Sequence, residues 1–308
     1  MNINEILKDI KSNRVKKVII DSDAANEMDD QYAIAYAIAL DKAKKIELLS
    51  INAAPFGNGE DFPDTVRASY DEIIRVLKAT ETFGDYPVYE GSDGSITASN
   101  APIDSPAAQS IIKTALESDE LVYILALGAC TNIASAVMLE PTIKNKICVI
   151  WLAGHSLEYG MINEYNWRQD VGASEFLFNC GVKMVLLPAR GGTGEMKFRL
   201  PMIRRYLTRD SVACKFFRDE FPANFAGKAA KEPDGEFMGD HWVRQISDIA
   251  APALFEIHEC FDLEIIPTPL WDDEFRYVID KSRHPMIIMN KLEPDPVMID
   301  ALMKINTL

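Results

Sequence analysis

No apolar run in the chain approaches the roughly 20 residues needed to cross a bilayer. Its first residues, Met1-Asn2-Ile3-Asn4-Glu5-Ile6-Leu7-Lys8, lack the pattern of a secretory signal. Both absences point to a cytoplasmic protein. Basic residues are in deficit: 32 Lys and Arg stand against 47 Asp and Glu, for a formal net charge of −15. That balance argues against nucleic acid or an anionic membrane as a partner. Cysteine is scarce and odd in number. The five (Cys130, Cys148, Cys180, Cys214 and Cys260) are widely spaced with no CxxC pair, and they read as buried reduced thiols. Histidine is scarcer still, limited to His155, His241, His258 and His284. Internal repeats and low-complexity linkers are missing too, so 308 residues are expected to form one domain with an insertion.

What the chain does have is a concentration of acid near its start. Val18-Ile19-Ile20 reads as a short buried strand, and it runs directly into Asp21, Asp23, Glu27, Asp29 and Asp30. An Ala-rich helical stretch follows, from Asp30 to Leu40. The carboxylates therefore fall in a strand-to-helix loop, where open α/β sheets bind ligands. Asp29 and Asp30 also suit a helix N-terminus, and Asp21 or Asp23 suits a turn, but those roles absorb only one or two acids. Five carboxylates in ten residues repel one another unless a cation compensates. Hard oxygen donors at this density suit Ca²⁺, with Mg²⁺ as the lesser fit.

Apolar β-rich runs recur at Ile46–Ile51, Leu121–Leu127, Ile147–Leu152, Val182–Leu187 and Phe261–Ile266. Helical patterns lie between most of them, at Asp64–Ala79, Pro106–Glu117, Thr131–Leu139 and Gly172–Phe178. The alternation predicts a Rossmann-like open, largely parallel sheet with helices on both faces. Residues 198–245 break the rhythm. They read as a helical cap (Met202–Leu207, Ser211–Glu220) with a polar loop at 227–235, lying over the C-terminal ends of the strands.

A strand ending in Asp-x-Asp, then Asp-Asp opening an Ala-rich helix, resembles the inosine–uridine preferring nucleoside hydrolases. Further matches follow in the family's order: Phe56-Gly57-Asn58, Pro87-Val88-Tyr89-Glu90-Gly91, Leu127-Gly128-Ala129-Cys130-Thr131-Asn132, Asn163-Glu164-Tyr165-Asn166 with Asp170, and Ser247-Asp248. The first loop departs from the usual Asp-x-Asp-Pro-Gly-x-Asp-Asp. It has two more residues between Asp23 and Asp29, and Ala24-Ala25-Asn26-Glu27 replaces Pro-Gly. Ser247 stands where members often carry His.

The resemblance implies hydrolysis of the N-glycosidic bond of a ribonucleoside or related N-riboside, by an enzyme that uses Ca²⁺. Carried over residue by residue, the metal ligands would be Asp23, Asp30, Asp248 and the backbone carbonyl of Leu127. Asp23 would double as general base toward water. Asp29, Asn58, Glu164 and Asn166 would hold the ribose, and Trp242 or Trp167 would stack on the base. Glu27 would be an added ligand or a supporting group, and Asp21 a structural one bonding amides of its own loop. For the leaving base, His155 and His241 are both candidates. The family resemblance also implies a homodimer or homotetramer.

Two other readings compete. In aspartate-nucleophile phosphatases Asp21 would attack and Asp23 act as acid and base with Mg²⁺. That needs Ser or Thr at the end of the second strand, where Ile51-Asn52-Ala53 has neither. A non-catalytic Ca²⁺-dependent nucleoside or sugar binder would result if the longer loop displaced Asp23.

Overall fold

The β-branched run Val18-Ile19-Ile20 forms the middle of a strand that is buried on both faces. Continuous apolar runs of this kind suit the inside of a parallel sheet covered by helices. The computed structural model describes residues 1–220, 222 and 243–308. In it, β1 (Lys16–Ser22) lies between β2 (Ile46–Ala53) and β4 (Val122–Ala126), parallel to both. The remaining strands of the large sheet are β3 (Val88–Tyr89), β5 (Ile147–Leu152), β6 (Lys183–Leu187), β9 (Phe261–Pro267) and β12 (Pro285–Leu292). Their order is β3-β2-β1-β4-β5-β6-β12-β9. All pairs are parallel except β12 with the edge strand β9. Two small antiparallel ribbons complete the strands: β7 (Lys197–Arg199) with β8 (Val243–Gln245), and β10 (Leu270–Trp271) with β11 (Tyr277–Val278).

Alternate side chains of β1 enter opposite layers, as strand geometry requires. Val18 and Ile20 pack with the helices Asp29–Lys42, Phe62–Ala79 and Pro294–Ile305, while Ile19 packs with Pro106–Glu117, Thr131–Leu139 and Val171–Cys180. In the helix Asp29–Lys42 every residue from Asp30 to Leu40 is buried. Small alanines on all sides let this helix sit inside the molecule, wrapped by the sheet and the helices Phe62–Ala79, Ala250–Ala253 and Pro294–Ile305.

The helices predicted at Pro106–Glu117 and Thr131–Leu139 begin and end where expected. The C-terminal part differs. The sequence reading ends its strands at Phe261–Ile266, but the sheet also takes in β12, whose apolar core Met286–Met289 inserts between β6 and β9. The expected cap contains the helix Leu200–Tyr206 and a short helix Val212–Lys215 continued by a π-turn, Phe216–Glu220. Its two ends, however, are strands β7 and β8, paired to each other. The polar loop 227–235, His241 and Trp242 lie outside the described residues. Among the described residues no helix is long and apolar enough to cross a membrane.

Candidate active site

Strand order reverses at β1, since β2 leads to one edge of the sheet and β4 to the other. The C-terminal ends of β1 and β4 therefore border the crevice where such sheets bind ligands. They are tied together there by the Leu127 N–H, which donates to the Asp21 carbonyl at 2.8 Å. A cavity of about 870 Å³ opens at this point. Its size falls within the roughly 300–1,000 Å³ typical of small-molecule sites. Its walls include Asp23, Glu27, Asp29, Asp30, Glu164 and Asp248, together with Leu127, Asn166, Tyr165 and the β8 residues.

Asp29 and Asp30 are placed by the first turn of the Ala-rich helix, and Asp248 by the turn after β8. One carboxylate oxygen from each of these three lies within 4.8 Å of the others. Asp30 accepts from the Ser22 hydroxyl at 2.6 Å, and Asp29 accepts from the Ser247 N–H at 3.0 Å. Burial raises all three acids, and their neighbours' charge adds to the effect. Asp29 is pushed up to about 6, while Asp30 and Asp248 rise well above the ordinary carboxylate range. Asp23 is raised in the same way, by burial and then by the charges of Asp30 and Asp29. Carboxylates crowded in a dry site favour a proton or a cation between them. This donor set of hard, convergent oxygens fits a divalent cation.

The expected ligand set and the observed cluster differ in one member. Asp29 converges with Asp30 and Asp248, whereas the Asp23 carboxylate sits beside them, against Gly128. A Cβ on Gly128 would lie 2.8 Å from the Asp23 carboxyl carbon, so only glycine admits this approach. The two-residue extension explains how Asp23 is held. Asn26 donates its N–H to the Asp23 carbonyl at 2.8 Å and its Nδ2 to Asp23 Oδ2 at 3.2 Å. Ala24 and Met28 bury themselves on either side and anchor the loop. Tyr165 adds a contact from its hydroxyl to Asn26 Oδ1 at 3.4 Å. Glu27 is exposed on the cavity rim and stands apart from the converging carboxylates.

Glu164 caps the short helix Tyr165–Gln169, accepting from the N–H groups of Asn166 (2.9 Å), Trp167 (3.3 Å) and Gly154 (3.3 Å). Burial pushes its carboxyl up to about 7. Asn166 donates to the carbonyls of Leu127 at 2.8 Å and Leu152 at 3.0 Å, so its amide ties the ends of β4 and β5 together. The Leu127 carbonyl is thus on the cavity wall, with one hydrogen bond already made. Three expected contacts are not brought here. Asn58 is exposed and lines a separate hollow with Ser95, Thr97 and Arg168. His155 packs edge-on to Tyr159, with centroids 4.6 Å apart, and its Nδ1 accepts from the Arg190 N–H at 3.3 Å. Burial and the nearby Arg190 charge hold its pKa below the usual histidine range. Trp167 is fully buried against Trp271 and Phe275.

Asn132, in the first turn of the helix Thr131–Leu139, organises the floor of the site. Its Nδ2 donates to Asp21 Oδ1 at 2.8 Å and to the Ala53 carbonyl at 3.0 Å, and its Oδ1 accepts from Ser92 N–H and Oγ. Asp21 is structural as expected, but through this side chain rather than through amides of its own loop. Burial pushes the Asp21 carboxyl up to about 7. Asn132→Ala would leave a buried carboxyl, a carbonyl and an N–H short of partners. A loss of about 3–4 kcal/mol is expected, read as a lower urea midpoint. Gln169, which no sequence motif marks, also supports the site. It accepts from Gly57 N–H at 2.8 Å, donates to Asn166 Oδ1 at 3.2 Å and hydrogen-bonds Asp23.

Comparison with known proteins agrees with this fold. Residues 18–254 match the family described as inosine-uridine preferring nucleoside hydrolase. The pyrimidine-specific ribonucleoside hydrolase RihA of Escherichia coli O81 is 25% identical over 194 residues, which are 55% of this chain and 58% of that protein. The chain thus spans less than two thirds of that relative's length. In fold it is similar to a plant nucleoside hydrolase, at TM-score 0.73 and 17% identity over 96% of this chain and 100% of the other. A purine-preferring ribonucleoside hydrolase from Gardnerella vaginalis gives TM-score 0.71 and 19% identity over 95% and 98%.

Proposed function

Because the chain belongs to the inosine-uridine preferring nucleoside hydrolase family, we propose that it hydrolyses the N-glycosidic bond of a ribonucleoside with the help of a divalent cation. The observation that supports this most is the convergence of Asp29, Asp30 and Asp248 at the strand switch point, with Asp23 beside them. Asp30, Asp248, the Leu127 carbonyl and either Asp23 or Asp29 would hold the ion, with Ca²⁺ the better match to this all-oxygen set. When bound, such a cation anchors vicinal sugar hydroxyls and makes water more acidic.

The chain's own groups do the rest. Cleavage leaves positive charge on the sugar ring, so a wall of carboxylates stabilises the transition state electrostatically. Asp23 is held by Asn26 and Gln169, within the cavity wall, and takes the proton of the attacking water. Asp29 and Glu164 accept from ribose hydroxyls. Neither His155 nor Asn58 belongs to this scheme, because neither lines the cavity. His155→Ala is accordingly expected to keep kcat within about threefold of wild type, in contrast to the 10²–10⁴-fold loss typical of a removed general acid. Steady-state kinetics on the best nucleoside decides this.

The overall reading is tested by a reducing-sugar assay across purine and pyrimidine ribonucleosides, with Ca²⁺ and after chelation. Cation-dependent ribose release is expected. No release from any nucleoside by a protein that still binds Ca²⁺ would favour the binder instead.

Asp23→Asn separates base from ligand. Turnover should fall by at least about 10²-fold while ribose binding persists. Unchanged turnover removes Asp23 as the base.

A further inference from the structure

The cavity has one basic residue among the described residues of its wall, Arg244, facing a lining that holds six carboxyl groups. An arginine placed to neutralise that acid would pair with it. Arg244 does not: it forms no ion pair among the described residues, and its Nη1 reaches only the carbonyl of its neighbour Val243, at 3.4 Å. Elsewhere in the chain Arg14, Arg67, Arg218 and Arg276 each pair with a carboxylate at 2.5–2.9 Å. Arginines without a carboxylate pair elsewhere spend donors on neutral acceptors, Arg190 on the Tyr159 hydroxyl and Arg209 and Arg283 on backbone carbonyls, whereas Arg244 lies among carboxylates and pairs with none of those described.

The fold explains why Arg244 stays apart. It is the middle residue of β8, paired in register with Phe198 of β7. Phe198 is fully buried and packs edge-on against Tyr32 of the Ala-rich helix, with centroids 5.1 Å apart. After β8, the Ile246 N–H donates to the Met196 carbonyl at 2.9 Å, closing the ribbon. The strand is thus fastened to the core on both sides. Its flanking residues Val243 and Gln245 line the same cavity, and Gln245 donates to the Ser247 hydroxyl at 2.7 Å. A half-buried guanidinium with unused donors, fixed on a cavity wall, is a site for an oxyanion, a carboxylate or a phosphate.

We infer that the substrate is a riboside carrying an anionic group, a carboxylate on the base or a phosphate on the sugar, and that Arg244 binds that group. The inference rests on the N-ribohydrolase reading for its ribose end and on Arg244 for its anionic end. An all-acid cavity would repel such a substrate, and Arg244, on the β7–β8 ribbon, supplies the compensating charge.

The test compares matched ribosides on wild type and Arg244→Gln, in the presence of Ca²⁺. Uridine is set against orotidine and uridine 5′-monophosphate, and inosine against inosine 5′-monophosphate. The readout is kcat/KM where ribose is released and Kd by calorimetry where it is not. Wild type should prefer at least one anionic member over its neutral parent. Arg244→Gln should reduce that preference about 10- to 100-fold, the range of a lost charge-assisted hydrogen bond. A carboxylate source shows as orotidine preference alone, and a phosphate source as preference for both monophosphates. Equal handling of neutral and anionic members, or a preference that Arg244→Gln leaves untouched, overturns the inference while leaving the hydrolase reading intact. Arg244-dependent anion binding with no ribose release from any substrate removes the hydrolase reading and leaves this one standing.

Discussion

Asp30→Ala is expected to abolish Ca²⁺ uptake and ribose release together. Asp30 is the member of the acid cluster held from both sides, by the Ser22 hydroxyl at 2.6 Å and by contact with Asp248. Its removal takes out the central oxygen donor of the convergent set. Losing the side chain should not unfold the protein. The variant gives up one hydrogen bond, worth about 1–2 kcal/mol, but also relieves repulsion between buried carboxylates. The cleanest readout is therefore thermal. A ligand at about 100 times its Kd stabilises its site by about 2.7 kcal/mol. Wild type should melt several degrees higher with Ca²⁺ than with chelator, and Asp30→Ala at the same temperature in both. Calcium-dependent melting that survives in the variant would move the cation site away from this cluster.

Gly128→Ala is the second large effect, and it comes from a residue that carries no functional group. The added methyl would meet the Asp23 carboxylate at 2.8 Å, inside any normal contact. Gly128 itself is pinned, because its carbonyl accepts from Trp151 Nε1 at 3.0 Å at the end of the sheet. Asp23 must therefore move. A shift of about 1 Å at a reacting group costs on the order of 10²-fold in rate, so kcat should fall by about that factor or more. The stability loss should stay within the roughly 1–3 kcal/mol of an overpacked site. Gly94→Ala is the control. Its Cβ would meet only Ile103 Cδ1, at an ordinary 3.7 Å, and kcat should not change. A Gly128→Ala enzyme with wild-type kcat would show that the position of Asp23 is unimportant to the chemistry.

Much of this architecture was legible in the chain. The run Val18–Ile20 could only be an inner strand, and the acids that follow could only lie at its C-terminal end, because hydrophobic period and turn chemistry are local properties. The helices Pro106–Glu117 and Thr131–Leu139 were readable for the same reason. What stayed hidden involves distance in sequence. Strand β12 has an ordinary apolar run, but nothing local announces that it inserts between β6 and β9. Asn132 reads as a helix start until Asp21, Ala53 and Ser92, from three other segments, are brought to its amide. Asn58 and His155 look like site residues by register, yet the turns that carry them lead away from the cavity.

The sequence by itself therefore determined the class of sheet, the place of the acid loop and the hard-oxygen character of the site. Each of these follows from neighbours along the chain. Only the tertiary structure decided which carboxylates converge, how Asn26 and Gln169 hold Asp23 in the lengthened loop, and that Arg244 stands without an ion pair in the same cavity. Those facts depend on angles between elements far apart in sequence, where a change of about 1 Å separates a ligand from a bystander, and no local pattern encodes that.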